Sequence, residues 1–243
     1  VVFNEMKGAY SSPESLLAQH SQAALFPETL YRLDAGGDPA QIPRLTYGQF
    51  RDFHRSYYHP SNSKIYFYGD DDPRERLRFM DGYLRDFDRR HNDCPIPQQP
   101  RIHEPRVLTR PFPAGAEPSG QAKGMVTVNW LLPATRDPDT AMTFSVLDYL
   151  LLGTSASPLR KALIDSGLGE GIAGIGLETD LVQLYLSAGL KGVARERLKE
   201  VEPLVLERLA AIVRDGIDRR TLDATLNTVE FRLRENNSGR LPR

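Results

Sequence analysis

Seven of the eighteen prolines fall between residues 88 and 123, at positions 95, 97, 100, 105, 111, 113 and 118. Proline locks φ and removes a backbone donor, so this stretch suits neither a helix interior nor a central strand. It reads as an extended, semi-rigid linker, which divides the 243 residues into 1–87 and 124–243. The chain is long enough to bury one full core or two smaller ones, and the linker favours two domains.

In the first half, Ser12-Pro13 supplies an N-cap and a first-turn proline for a helix with Leu16, Leu17, His20, Ala23 and Ala24 on one side, stopped near Pro27. Thr46 and Gln49 form a capping box, after which Phe50, Phe53 and Tyr57 follow at helical spacing until His59-Pro60. Lys64 to Tyr68 is a short β-rich run ending at Gly69, and Asp72-Pro73 opens a helix striped with Leu77, Met80, Leu84 and Phe87. A lone strand is not stable by itself, so its partners either precede residue 1 or come from the second half.

In the second half, Met125 to Leu132 reads as a buried strand, and Asp137-Pro138 leads into a helix through Phe144, Leu147, Leu150 and Leu151. Ser157-Pro158 starts a short helix closed by Gly167. Val182, Leu184, Leu186, Ala188 and Leu190 alternate with more polar residues, the period-two pattern of a strand with one buried face, and Ile172 to Glu178 is its expected antiparallel neighbour. Two helices follow, one carrying Leu198, Val201, Val205, Leu209 and Ile212 with an expected kink at Pro203, the other Leu222, Leu226, Val229 and Leu233. Strands and helices segregated in this way define an α+β class: two α/β-sandwich-like domains with largely antiparallel sheets, the first incomplete.

Charge is balanced, with 31 basic and 32 acidic side chains, so no long-range field attracts nucleic acid or an anionic membrane. No apolar run approaches the roughly 20 residues of a transmembrane helix; a soluble protein is expected. One cysteine, Cys94, excludes an internal disulfide, fits a reducing compartment and lacks the basic neighbours that make a reactive thiolate. The Asn236-Asn237-Ser238 sequon is read as an accident of composition.

A catalytic zinc site needs about three protein ligands and an open position. The five histidines, at 20, 54, 59, 91 and 103, contain no i, i+4 pair and no His-x-x-Glu-His in either direction. His54 and His59 are expected to pack or cap near Tyr57-Tyr58, and Asp70-Asp71-Asp72 to cap the helix after Pro73. Gly36-Gly37 is a turn outside any strand-to-helix context. Glu5 stands in the apolar helical run Val1-Val2-Phe3-Asn4-Glu5-Met6-Lys7-Gly8, where it is either an ordinary exposed residue or a metal ligand. Gly171 to Glu178 contains three glycines, which suits either a bulge or close packing, or an edge to which a peptide adds as an extra strand.

The Val1–Gly8 phrase resembles the third-ligand helix of the presequence-protease branch of the pitrilysin/insulinase-type zinc metallopeptidases. The likeness continues through Asp34–Pro39, Tyr57–Asn62, Tyr68–Pro73, Leu152–Lys161, Ser166–Glu170 and Leu233–Gly239, in consistent order along nearly the whole chain. It implies a clamshell peptidase that encloses short unfolded peptides and cleaves internal bonds with a zinc-bound water. By the same resemblance Glu5 is a zinc ligand, completing a site begun by an inverted His-x-x-Glu-His motif upstream. The strand around Gly174, Ile175, Gly176 and Leu177 is similar to one that anchors a substrate N-terminus. The chain then comprises the end of the catalytic domain (1–87), the linker (88–123) and a second, possibly truncated peptidase-family domain (124–243). Zinc belongs to the parent protein, and this piece is expected to be inert and to bind none. Expected partners are unfolded peptides and the remaining domains of the same parent, in a bacterial cytoplasm or an organelle matrix, with no nucleic acid or membrane. Two rival readings are a non-catalytic structural or assembly subunit and a module that only binds peptides.

Overall fold

The computed structural model describes residues 1–91, 95–112 and 123–235. Cys94, Pro113, Pro118 and the Asn236-Asn237-Ser238 sequon lie outside the described residues. The elements in order are α1 (Val2–Ala9), α2 (Pro13–Leu25), α3 (Tyr47–Tyr57), α4 (Pro73–Leu84), β1 (Lys123–Ala134), α5 (Pro138–Leu152), α6 (Pro158–Asp165), β2 (Gly171–Glu178), β3 (Gln183–Ala194), α7 (Val201–Asp215) and α8 (Arg219–Arg234), an α+β arrangement. They form two compact units, Val1–Gly36 with Pro97–Arg243, and Gly37–Ile96. These units are cut differently from the divisions 1–87, 88–123 and 124–243, because α2 packs on the sheet and the start of the linker is bonded to it.

In the larger unit the sheet is antiparallel in the order β1-β3-β2, so β3 is central and β2 is an edge. The expectation of one buried face on β3 is corrected: every residue from Gln183 to Leu190 is buried. On one side Ala188 and Leu190 join Leu151 of α5, Leu159 and Leu163 of α6, and Val201 and Val205 of α7. On the other, Tyr185 packs with Leu25 and Phe26 at the end of α2. Alternation survives in the residue types because the second face, covered by α2 and by the segment around Gln99 and Ile102, accommodates Ser187 and Gln183 as buried polar groups.

Helix α2 begins as expected, with the Ser12 hydroxyl accepting from Ser15 N–H at 3.2 Å. Its inner face differs from the expected one. His20 is exposed, while Ser21 and Leu25 are buried, one helical turn apart. Phe26 is fully buried, edge-on to Tyr31 and Tyr185 with ring centroids 5.4 and 6.0 Å away. A buried Phe of this kind contributes roughly 1.5–3 kcal/mol. The Gln99 N–H donates to Gln183 Oε1 at 2.6 Å, and the Glu28 N–H donates to Gln99 Oε1 at 2.9 Å, which ties the first linker residues to the sheet.

Pro203 does not kink a helix. It sits in the first turn of α7, after a 3-10 segment over Arg195–Glu200, where its missing N–H leaves little unpaired. In α8, Leu226 and Leu233 are exposed and Thr225 is buried, so the inner face is shifted by one position from the expected stripe.

In the smaller unit the Thr46–Gln49 capping box opens α3, and Asp72 caps α4 through Arg74 N–H at 2.8 Å. His59 Nδ1 accepts from Ser61 N–H at 3.2 Å, His59 packs on Phe87, and His54 stacks on Tyr58, the packing and capping roles expected of them. Lys64–Tyr68 is not a strand. It has no ladder partner among the described residues, and Tyr66 and Tyr68 are 85% and 89% exposed.

Candidate functional site: the glycine bulge on the edge of the sheet

The register of β2 against β3 runs Ala173 to Gly189 and then Gly176 to Ser187, so Gly174 and Ile175 together oppose Ala188. This is a β-bulge, which bends the strand and re-aims its backbone. Both flanking glycines are required by geometry. Gly174 has φ +94°, and a Cβ there would lie 2.5 Å from the Ser187 carbonyl oxygen; Gly176 has φ +71°, and a Cβ would lie 2.8 Å from Asp148 Oδ1. Ile175 projects from the bulge, 47% exposed, and Leu177 is half-buried.

Beside the bulge is a groove of ≈ 100 Å³ between α2 and the sheet, lined by Leu17, Ala18, Ile172, Gly174, Ile175 and Tyr185 among others. Glu14 stands at its rim, paired with Lys191 Nζ at 2.9 Å, and that contact holds its carboxyl below the ordinary range. Burial, and secondarily the Glu178 charge, push the Tyr185 hydroxyl up to about 12, so it stays protonated at neutral pH. The combination offers a backbone edge with no further strand beside it among the described residues, an apolar slot and an ion pair at the rim. That chemistry suits an extended peptide, whose main chain pairs with the edge while alternate side chains enter the slot.

Glu5 lies in the first turn of α1, exposed, on a helix with no buried residue. Zinc requires about three protein ligands. Among the described residues no group of three or more His, Cys, Asp or Glu is placed to hold a metal ion, so the residues present do not make up a zinc site around Glu5. The other four candidate residues, Gly174, Ile175, Gly176 and Leu177, are consecutive on the edge strand β2. Sequence reasoning missed Asp148, which faces Gly176 from α5. Its signal was available, since it is the only charged residue in the run Phe144–Leu152 and lies on the stripe with Phe144 and Leu151.

The fold is an antiparallel sheet with a bulged edge strand and helices packed on it. Residues 44–229 match the family model for the peptidase M16 inactive domain, and the chain belongs to the peptidase M16 family. It is 47% identical, over its whole length, to presequence protease 1, chloroplastic/mitochondrial, of Arabidopsis thaliana, covering 23% of that protein. It is 35% identical to the mouse mitochondrial presequence protease over 95% of this chain and 23% of that one. Protein HypA of Clostridium perfringens is 36% identical over the full chain, which spans 25% of it. The chain thus spans about a quarter of the length of these relatives. Among solved structures it resembles the peptidase M16 inactive domain from Pseudomonas fluorescens (TM-score 0.71, 19% identity, 94% of this chain and 54% of that one) and pitrilysin (TM-score 0.52, 18% identity, 99% and 26%), likenesses that speak for the fold. No helix among the described residues is long and apolar enough to cross a membrane.

Proposed function

We propose that this chain is the peptide-holding part of a longer zinc metalloendopeptidase that degrades short unfolded peptides. The observation that carries the reading is the 47% identity, over the whole chain, to a presequence protease. In this reading residues 1–87 close the catalytic domain, 88–123 link it to the next, and 124–243 form the second domain. Glu5 contributes one carboxylate to the parent's zinc site, whose remaining ligands lie elsewhere in the parent. Zinc there would polarise the scissile carbonyl and activate a water. The edge over Gly174, Ile175, Gly176 and Leu177 receives the peptide as an added strand. The compartment of the parent is an organelle matrix or a bacterial cytoplasm, in keeping with the names and sources of its relatives.

On its own the chain binds peptide without cleaving it, a division of labour that the family model's description as an inactive domain supports. Titration of an unstructured peptide into the 243-residue chain should give saturable heat and no cleavage products. Cleavage that a chelator abolishes would refute the inert assignment, and absence of any binding would refute the peptide-holding one. A parent chain that contains the upstream residues should cleave the same peptide, and substitution of Glu5 by Gln should lower both its zinc content and its turnover.

A further inference from the structure

Asp148 is a carboxyl placed where an apolar side chain would fill the space at lower cost. It lies on α5 among residues that pack against the sheet, and Leu147 and Leu151 on either side belong to or border the main core. Its Oδ1 is buried without a hydrogen-bond partner among the described protein atoms. Burial raises its pKa, and the backbone N–H of Leu177 is the group that favours its charged form. The closeness of the contact is set by Gly176, where a Cβ would come within 2.8 Å of Oδ1 and 3.5 Å of Cγ. A buried acceptor of this sort is costly unless a donor answers it. The donor set against the carboxyl is the Leu177 N–H, on the strand that carries the bulge.

We propose that Asp148 is a positioning residue for the peptide edge: its carboxyl holds the Gly176–Leu177 backbone from behind, so that the outward groups of the bulge stay aligned for an added strand. The inference rests on the strand-addition reading of β2. It also accounts for glycine at 176, since a side chain there would displace the carboxyl from the strand.

The test compares the unmodified 243-residue chain with D148N and D148L. Asparagine keeps an acceptor oxygen, whereas leucine fills the volume with none. Thermal melts followed by circular dichroism establish that each is folded, and D148A replaces D148L if that variant is not. Amide exchange at Leu177 should be accelerated about tenfold in D148L, the worth of one hydrogen bond, and stay near the unmodified rate in D148N. Affinity for an unstructured peptide should fall by about the same factor in D148L and be rescued in D148N. Equal Leu177 exchange in all three chains overturns the positioning role, whatever the peptide does. Accelerated exchange with unchanged affinity overturns it for the peptide edge. Failure of the unmodified chain to bind any peptide overturns the strand-addition reading itself, and with it a role for Asp148 toward a peptide.

Discussion

A methyl group at position 174 separates what the glycines of β2 do from what glycine does elsewhere in the chain. Gly174→Ala must hold φ near +94° with its Cβ 2.5 Å from the Ser187 carbonyl oxygen, so the bulge has to shift. The expected cost is about 1–3 kcal/mol, read as a lower denaturation midpoint. Gly8→Ala is the control: nothing lies within 4 Å of the added methyl, the residue is helical, and the substitution should stabilise α1 by about 0.5–1 kcal/mol. Equal effects of the two would remove the case for a built bulge. The candidate site was legible in the sequence to this depth: three glycines in one strand announce close approach. The positive φ values were not, because they follow from the register against β3 and from what α5 places behind the strand. Asp148 was legible as a charge on an apolar stripe, though its partner strand was not.

Helix α2 shows which forces attach an element. Two contacts stand out, the burial of Phe26 and the Glu14–Lys191 ion pair, whose side chains are 54% and 44% exposed. An exposed pair contributes about 0.2–1 kcal/mol and is screened by salt, while truncating a buried Phe costs about 3–5 kcal/mol. Phe26→Ala should therefore lower stability severalfold more than Glu14→Gln, measured by chemical denaturation at neutral pH. The ion pair also has a pH signature. Lys191 holds the folded Glu14 carboxyl below its ordinary 4.5, so its contribution is present above that pH and lost as pH falls through the folded value. The Glu14→Gln deficit should shrink to nothing in acid and in high salt; a deficit that persists there would assign the role to packing. Strand and helix identities in this unit were readable from period and caps, as Ser12, Asp137 and the β3 alternation show. The inner faces of α2 and α8 were not, because they depend on which side of the sheet each helix meets. Pro203 was misjudged for a related reason: its effect depends on where the helix begins, and a 3-10 segment delays that start to Val201.

At the scale of the whole molecule, the smaller unit carries apolar groups that none of its described residues covers. Helices α3 and α4 have no buried residue, and Phe50, Phe53, Leu77 and Phe79 are all more than half exposed. Segment Lys64–Tyr68 keeps the alternation of a strand, with Ile65 and Phe67 at 50% and 42% exposure and Tyr66 and Tyr68 at 85% and 89%, yet it pairs with no other strand among the described residues. Alternating exposure without a ladder is what a strand shows when its neighbours are missing, since side-chain periodicity is local while hydrogen bonding requires a partner. This agrees with a chain that spans about a quarter of its relatives and with the proposal that residues 1–87 belong to a domain shared with the rest of a parent. The backbone amides of Ile65 to Tyr68 should exchange at near-unprotected rates in the 243-residue chain. In a longer chain that includes the preceding part of the parent they should slow by about two orders of magnitude or more, as their N–H groups enter a sheet. Protection in the shorter chain would mean that the segment finds its partner within these residues; no protection in the longer one would mean that it is a loop, and that the aromatic residues of this unit face something other than the rest of the catalytic domain.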